Sequence, residues 1–197
     1  HIEFSGSDVI QQVINALLDS GGIISIKTGK YTNINNITID LSQLNGTLII
    51  EGEGSGTEIV GDGSNNPIFK ITNETTFDIH GVIIANMLLR PNVPAGNDYP
   101  DAAAIYMYDT SRVTVENVAV RNGGIGFKII SGVSFLIYNC YAQYCRYGIY
   151  VDSDGLSAPT TITVLGGRYR KSKCGIYIKD TCGAKIANTI IEGNDGT

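Results

Sequence analysis

The sequence predicts an all-β fold, a solenoid of stacked short strands closed at its N-terminal end by one amphipathic helix. Three observations predict it. First, one unit recurs between Ala104 and Ile191. Ala104-Ile105-Tyr106-Met107, Gly126-Phe127-Lys128-Ile129, Gly148-Ile149-Tyr150-Val151 and Gly175-Ile176-Tyr177-Ile178 follow one another at steps of 22, 22 and 27 residues. Second, apolar residues alternate within the unit (Ile105 and Met107, Val113 and Val115, Val118 and Val120), which is the period of a strand and not of a helix. Third, the 24 glycines, the absence of Trp and the prominence of Ile, Asn, Thr and Tyr make a strand-and-turn composition. A single unit cannot bury its own apolar face. Stacking units about 4.8 Å apart pairs the backbone of each with the next and lines equivalent side chains into ladders.

Taken in order, residues 7–20 read as the helix. Ser7 is the candidate N-cap and Asp8 suits the positive end of the helix dipole. Val9, Ile10, Val13, Ile14, Leu17 and Leu18 form one apolar stripe opposite Gln11, Gln12, Asn15 and Asp19, and Gly21 and Gly22 end the element. Such a stripe is expected to cover the open end of the solenoid, where unpaired strand edges invite aggregation. Residues 23–90 are then read as N-terminal coils, 91–101 as a projecting loop and 102–194 as regular coils of about 22 residues, together one domain spanning 1–197. Val82, Ile84, Asn86 and Leu89 match Val113, Val115, Asn117 and Val120 at a step of 31. The excess falls in Pro91 to Asp101, whose three prolines exclude a regular strand.

The second half of each unit keeps the same register. Val113 and Val115 match Phe135 and Ile137, then Ile162 and Val164, then Ala184 and Ile186, and the next position reads Asn117, Asn139, Gly166 and Asn188. The step of 27 is therefore a step of 22 with five residues inserted around Gly155 to Pro159. The Met107, Ile129, Val151, Ile178 ladder is expected to point inward and the Tyr106, Lys128, Tyr150, Tyr177 ladder outward. One of the two aliphatic ladders, this one or that of Ile105, is expected to lie at a bend.

The N-terminal third resembles a known group. Ser7 to Ile14, then Gly21-Gly22-Ile23-Ile24-Ser25-Ile26 with Gly29-Lys30-Tyr31, then Leu48 to Gly54 with Thr57 to Val60, are similar to the opening of the pectate-lyase-like superfamily. Thr28 departs from it, standing where that superfamily usually has Pro. The resemblance implies a single-stranded right-handed parallel β-helix. It does not by itself imply an activity, because the superfamily includes polysaccharide lyases, glycoside hydrolases, phage tailspikes and viral attachment proteins.

The formal charge of −5 argues against a partner held by nucleic-acid phosphates, and no long uncharged apolar run suggests membrane insertion. No cofactor is expected and no metal site, since the four cysteines lack Cys-x-x-Cys or Cys/His spacing. Cys145 and Cys174 are close to one coil step apart. Either they form a disulfide between coils or they are buried thiols acting as small hydrophobes. Asn36, Asn45 and Asn73 open glycosylation sequons, relevant only in a secretory pathway. No cap is visible at the C-terminal end, so either the chain is a piece of a longer protein or a partner subunit, as in a homotrimer, covers that end.

Chemistry is expected on the outward ladder. Tyr106, Lys128, Tyr150 and Tyr177 offer ring faces suited to stacking on sugars, although a stacked aromatic ladder also stabilises a sheet whatever it binds. Asp98 and Asp101 in the projecting loop, and Asp152 and Asp180 beside the tyrosines, are the candidate acid and base. Arg121 and Lys128 are candidates to hold uronate groups. The resemblance lowers the enzyme reading. The places that carry aspartates in polygalacturonase-like hydrolases hold Ala102-Ala103, Gly124-Ile125, Arg146-Tyr147 and Lys173-Cys174 here. The expectation is a carbohydrate-recognising attachment module taking a polysaccharide or cell-surface glycan, extracellular, at a cell surface or on a virion. A polysaccharide lyase or glycoside hydrolase, or a structural spacer, is the alternative.

Overall fold

The computed structural model of the protein describes residues 7–72, 81–94 and 99–194. The expected cap side chain of Ser7, the sequon at Asn73 and the candidate acid Asp98 lie outside the described residues. In chain order, α1 (Ser7–Leu17) is followed by β1 (Gly22–Ile26), β2 (Gly29–Tyr31), β3 (Ile37–Asp40), β4 (Leu48–Gly52), β5 (Thr57–Val60), β6 (Phe69–Thr72), β7 (Val82–Ala85), β8 (Leu88–Arg90) and β9 (Ala103–Glu116). Then come β10 (Ala119–Arg121), β11 (Ile125–Tyr138), β12 (Tyr141–Gln143), β13 (Tyr147–Asp152), β14 (Thr160–Leu165), β15 (Arg168–Arg170), β16 (Cys174–Ile178), β17 (Ala184–Ala187) and β18 (Ile190–Glu192).

These strands stack into three walls, and the pairings within them are parallel. Wall A holds β3, β6, the first halves of β9 and β11, then β13 and β16. Wall B holds β1, β4, β7, the second halves of β9 and β11, then β14 and β17. Wall C holds β2, β5, β8, β10, β12, β15 and β18. The register is the one the repeat requires. Ile105 pairs with Phe127, Phe127 with Ile149 and Ile149 with Ile176, and the five extra residues fall between β13 and β14.

Neither aliphatic ladder sits at a bend, contrary to expectation. Ile105 and Met107 are two residues apart on one strand, so alternation alone turns both inward with Tyr106 outward between them. Ile105, Phe127 and Ile149 are fully buried, as are Met107, Ile129 and Val151. The bends lie elsewhere, at residues in the left-handed region. Asp109 (φ 48), Ser131 (φ 63) and Asp180 (φ 48) turn the chain from wall A to wall B, and Asn86, Asn117, Asn139, Gly166 and Asn188 turn it from wall B to wall C. Asn and Gly are the residues that adopt this conformation at least cost. The asparagines also bond to one another, Asn139 Nδ2 to Asn117 Oδ1 at 2.8 Å and Asn117 Nδ2 to Asn86 Oδ1 at 3.2 Å. Gly148 has a different reason to be small. A Cβ there would lie 2.4 Å from the carbonyl oxygen of Gly175 and 3.0 Å from Cδ1 of Tyr169.

The two ends of the stack differ. At the N-terminal end α1 buries Ile14 against the core, Leu18 is buried just beyond it, and Gly21 (φ 69) ends the helix with its N–H on the Leu17 carbonyl. Gln11, expected on the polar face, instead lies half-buried over β3. Its amide accepts from the Thr38 N–H at 2.7 Å and donates to the Thr38 carbonyl at 2.8 Å, so one side chain pairs the strand edge as another strand would. At the opposite end Ile186, Ile190 and Ile191 are exposed. Thr28 also has a physical account. Its N–H and hydroxyl both donate to Glu53, which Lys27 also contacts, and Pro could not supply that N–H.

Candidate functional site on wall A

The outer surface of wall A is built from two ladders. The register places Lys70, Tyr106, Lys128, Tyr150 and Tyr177 in one, and Tyr108, Ile130, Asp152 and Lys179 in the next, two residues further along each strand. Most of the residues picked from the sequence therefore come together here. Arg121 does not. It lies at the end of β10 on wall C, in the same column as Gln143 and Arg170.

At the Tyr106 end of the first ladder a cation takes the place of a ring. Lys128 is buried between the rings above and below it, with its ammonium 4.5 Å from the centroid of Tyr106. It donates to Asp101 Oδ1 at 2.7 Å and to the Pro100 carbonyl at 2.9 Å. Lys128 and Asp101 thus use their charges on each other and fasten the segment preceding β9 to the wall. Burial, followed by the negative charge of Asp101, pushes the Tyr106 hydroxyl up to about 12.

The Tyr177 end is open. Tyr150 and Tyr177 stack with their centroids 5.1 Å apart and their planes 10° from parallel. Tyr147, from the start of β13, meets Tyr150 edge-on at 5.1 Å and Tyr177 at 5.6 Å. All three rings are only partly buried. Beside them Asp152 accepts from the Tyr150 hydroxyl at 2.8 Å, and Lys179 lies 3.6 Å from Asp152 and 3.2 Å from Asp180. Burial alone would raise the Asp152 carboxyl. The bonds from Tyr150 and the Ser153 N–H, together with the Lys179 charge, outweigh it and hold the carboxyl below its usual range. Burial and the bond to Asp152 push Tyr150 up to about 12.

The residues between β13 and β14 form a second border. Asp154 accepts from the N–H groups of Leu156 and Ser157, both at 2.8 Å, and these with the Tyr108 hydroxyl hold its carboxyl low. Leu156 stands at the tip of this loop, 95% exposed.

The sequence marks Tyr147 only as one further tyrosine outside the ladder, and Lys179 was not singled out. Both were within reach of the repeat, since a step of 27 from Asp152 arrives at Lys179, and Tyr147 heads the strand three residues before Tyr150. Asp180, by contrast, is a corner residue whose φ of 48 explains an Asp there on backbone grounds. The Cys145–Cys174 disulfide is not formed. All four cysteines are free, the Cys145 N–H meets the hydroxyl of Ser172 at 3.2 Å, and Cys174 lies opposite Tyr147, two places out of register. Among the described residues no group of His, Cys, Asp or Glu is arranged to hold a metal ion, and no helix is long and apolar enough to cross a membrane.

Residues 67–197 match the family model described as the right handed beta helix region, and the chain belongs to that family. No curated protein sequence matches it. Among solved structures, ORF18 of Geobacillus virus E2 aligns over 93% of this chain and 44% of its own, at 17% identity and a TM-score of 0.64. PfbA, a surface adhesin of Streptococcus pneumoniae, aligns over 95% of this chain and 59% of its own, at 12% identity and a TM-score of 0.63. A Parabacteroides merdae protein provisionally assigned as a glycosyl hydrolase aligns over 95% and 92%, at 16% identity and a TM-score of 0.52. The chain thus spans about half the length of the first two, and at these identities the likeness is one of fold.

Proposed function

We propose that the open end of wall A is a carbohydrate-recognition surface, and that the protein is an attachment module acting outside the cell or on a virion. One observation carries this reading. Tyr147, Tyr150 and Tyr177 converge into a single partly exposed aromatic cluster, bordered by the hydrogen-bonding groups of Asp152, Lys179 and Asp180. Flat apolar rings beside fixed donors and acceptors suit a sugar ring, which is apolar on its faces and polar at its rim. The fold shared with an adhesin and a phage protein is compatible with it.

A polysaccharide-degrading activity has one observation in its favour, since Asp152 and Asp180 share the Lys179 ammonium and so lie near each other. A general acid, however, needs a raised pKa. Asp152 is held low, and Asp101 is tied to Lys128. A glycan array followed by reducing-end and unsaturated-uronate assays on each hit separates the two. Binding without product is expected. Product formation abolished by Asp152→Asn would replace the attachment reading with an enzymatic one.

A further inference from the structure

We propose that the outer face of wall B is a self-association surface, on which a second copy of this chain docks about a two-fold axis parallel to the solenoid axis. The inference stands apart from the carbohydrate reading, because it concerns a different wall.

Alternation decides what wall B shows to solvent. Val113 and Val115 point into the core, so Arg112, Thr114 and Glu116 point out. The register extends Thr114 into a ridge of Ile23, Ile49, Ile83, Thr114, Leu136 and Thr163, one from each successive coil. Ile23 is 62% exposed, and Ile49, Ile83 and Leu136 are partly exposed. The corresponding outward column on wall A reads Lys70, Tyr106, Lys128, Tyr150 and Tyr177, in which every residue carries a polar group. Strand propensity would be satisfied on wall B by threonine or tyrosine just as well. A run of aliphatic side chains continued from coil to coil on an outer face instead marks a surface that is covered.

The charges beside the ridge say what covers it. Arg112 stands two residues before Thr114 and Glu116 two residues after it, so one coil carries a cation on one side of the ridge and an acid on the other. Arg112 is exposed and Glu116 half-buried, and among the described residues neither pairs with an opposite charge. A two-fold axis along the ridge keeps the coils of two copies level and reverses the strand direction. It therefore sets the Arg112 of each copy against Glu116 of the partner subunit and lays the ridge upon itself, which is the self-complementarity an isologous contact requires. A two-fold axis running across the coils would instead lay the acid column, Glu51 and Glu116, against itself. Lys185 continues the ridge onto the last coil, at the margin of the face.

The size of the face fits a reversible pair. Strands about 4.8 Å apart and three outward columns about 7 Å apart give roughly 600 Å² per copy, about 1,200 Å² in the pair, at the low end of specific interfaces. Walls A and C stay outside the contact. Because the two solenoids run the same way, both Tyr147, Tyr150, Tyr177 clusters lie at the same end of the pair.

The test is analytical ultracentrifugation of the intact chain across the micromolar range. Wild type is compared with Leu136→Glu, Arg112→Glu, Glu116→Arg, the double reversal Arg112→Glu/Glu116→Arg, and Ile191→Lys at the exposed end of the stack, each checked for an unchanged melting transition. We expect a concentration-dependent dimer in wild type. Leu136→Glu and each single reversal should weaken it roughly tenfold or more, and the double reversal should restore it. The two single reversals, mixed, should pair with each other, and Ile191→Lys should dimerise as wild type does. The inference is overturned if wild type stays monomeric throughout, if a three-copy or open-ended assembly forms, or if the dimer is indifferent to Leu136→Glu. Loss of the dimer in Ile191→Lys alone would place the contact at the end of the stack and overturn it too. A dimer weakened by Leu136→Glu but not restored by the double reversal would overturn the two-fold arrangement while keeping wall B as the contact.

Discussion

The two ends of the wall A ladder occupy equivalent positions and are put to different uses. At Lys128 the outward side chain is buried, with the ammonium lodged against the half-buried ring of Tyr106 and tied to Asp101 and Pro100. At Tyr150 and Tyr177 the same column is open, and the two rings stack on each other while Tyr147 meets them edge-on and tilted. The backbone is the same in both places, so the difference comes from what the neighbouring segments bring. The comparison teaches that a ladder position in a solenoid has no fixed role. One coil can spend it on holding a loop while the next leaves it for a ligand.

The comparison can be broken or sharpened by substitution. The largest effect should come from the scaffold that both ends share. Gly148→Ala would place a methyl group 2.4 Å from the Gly175 carbonyl oxygen, and we expect a loss of about 1–3 kcal/mol in denaturant unfolding, with both ends of the wall perturbed. Lys128→Ala comes next. It leaves Asp101 unpaired, and because that carboxylate is half exposed the expected loss is about 1–2 kcal/mol. Glycan affinity at the open end should stay unchanged, and a matching loss of binding would mean that the two ends are not independent.

Tyr150→Ala reverses the pattern, with affinity for an array-selected glycan falling roughly tenfold and stability by only about 1 kcal/mol. The smallest effect is expected from Asp152→Asn. Its folded-state pKa is lowered, so the stability it contributes is present above the ordinary value of 3.8 and is lost as pH falls through the folded value. The difference in melting temperature between wild type and Asp152→Asn should therefore be constant near neutral pH and shrink below about pH 4. A difference that grows on acidification would contradict the assignment.

The fold was legible because a solenoid repeats its physics. Each coil must turn Ile, Val or Phe inward at the same place, so the columns through Ile105 and Val113 stand out in the sequence, and the Asn column at the wall B to wall C corner marks a conformation few other residues adopt. The apolar stripe of α1 was legible for the same reason. What Gln11 does was not, because a side-chain amide pairing a strand edge leaves no periodic trace. The site was half legible. Tyr106, Tyr150 and Tyr177 share a column, but the pairing of Lys128 with Asp101 joins a coil to a non-repeating segment 27 residues earlier. The Cys145 and Cys174 spacing misled by two places, because residues that face each other across coils must match the step within a single residue.

The measurement that tests the central claim most directly is calorimetric titration of an array-selected glycan into wild type, Tyr177→Ala and Tyr138→Ala. Tyr138 is the control, an exposed tyrosine at the end of β11 on wall B. The account predicts that Tyr177→Ala weakens binding at least about tenfold while Tyr138→Ala binds as wild type does. Equal losses in the two variants, no loss in either, or an array without a single hit would contradict it.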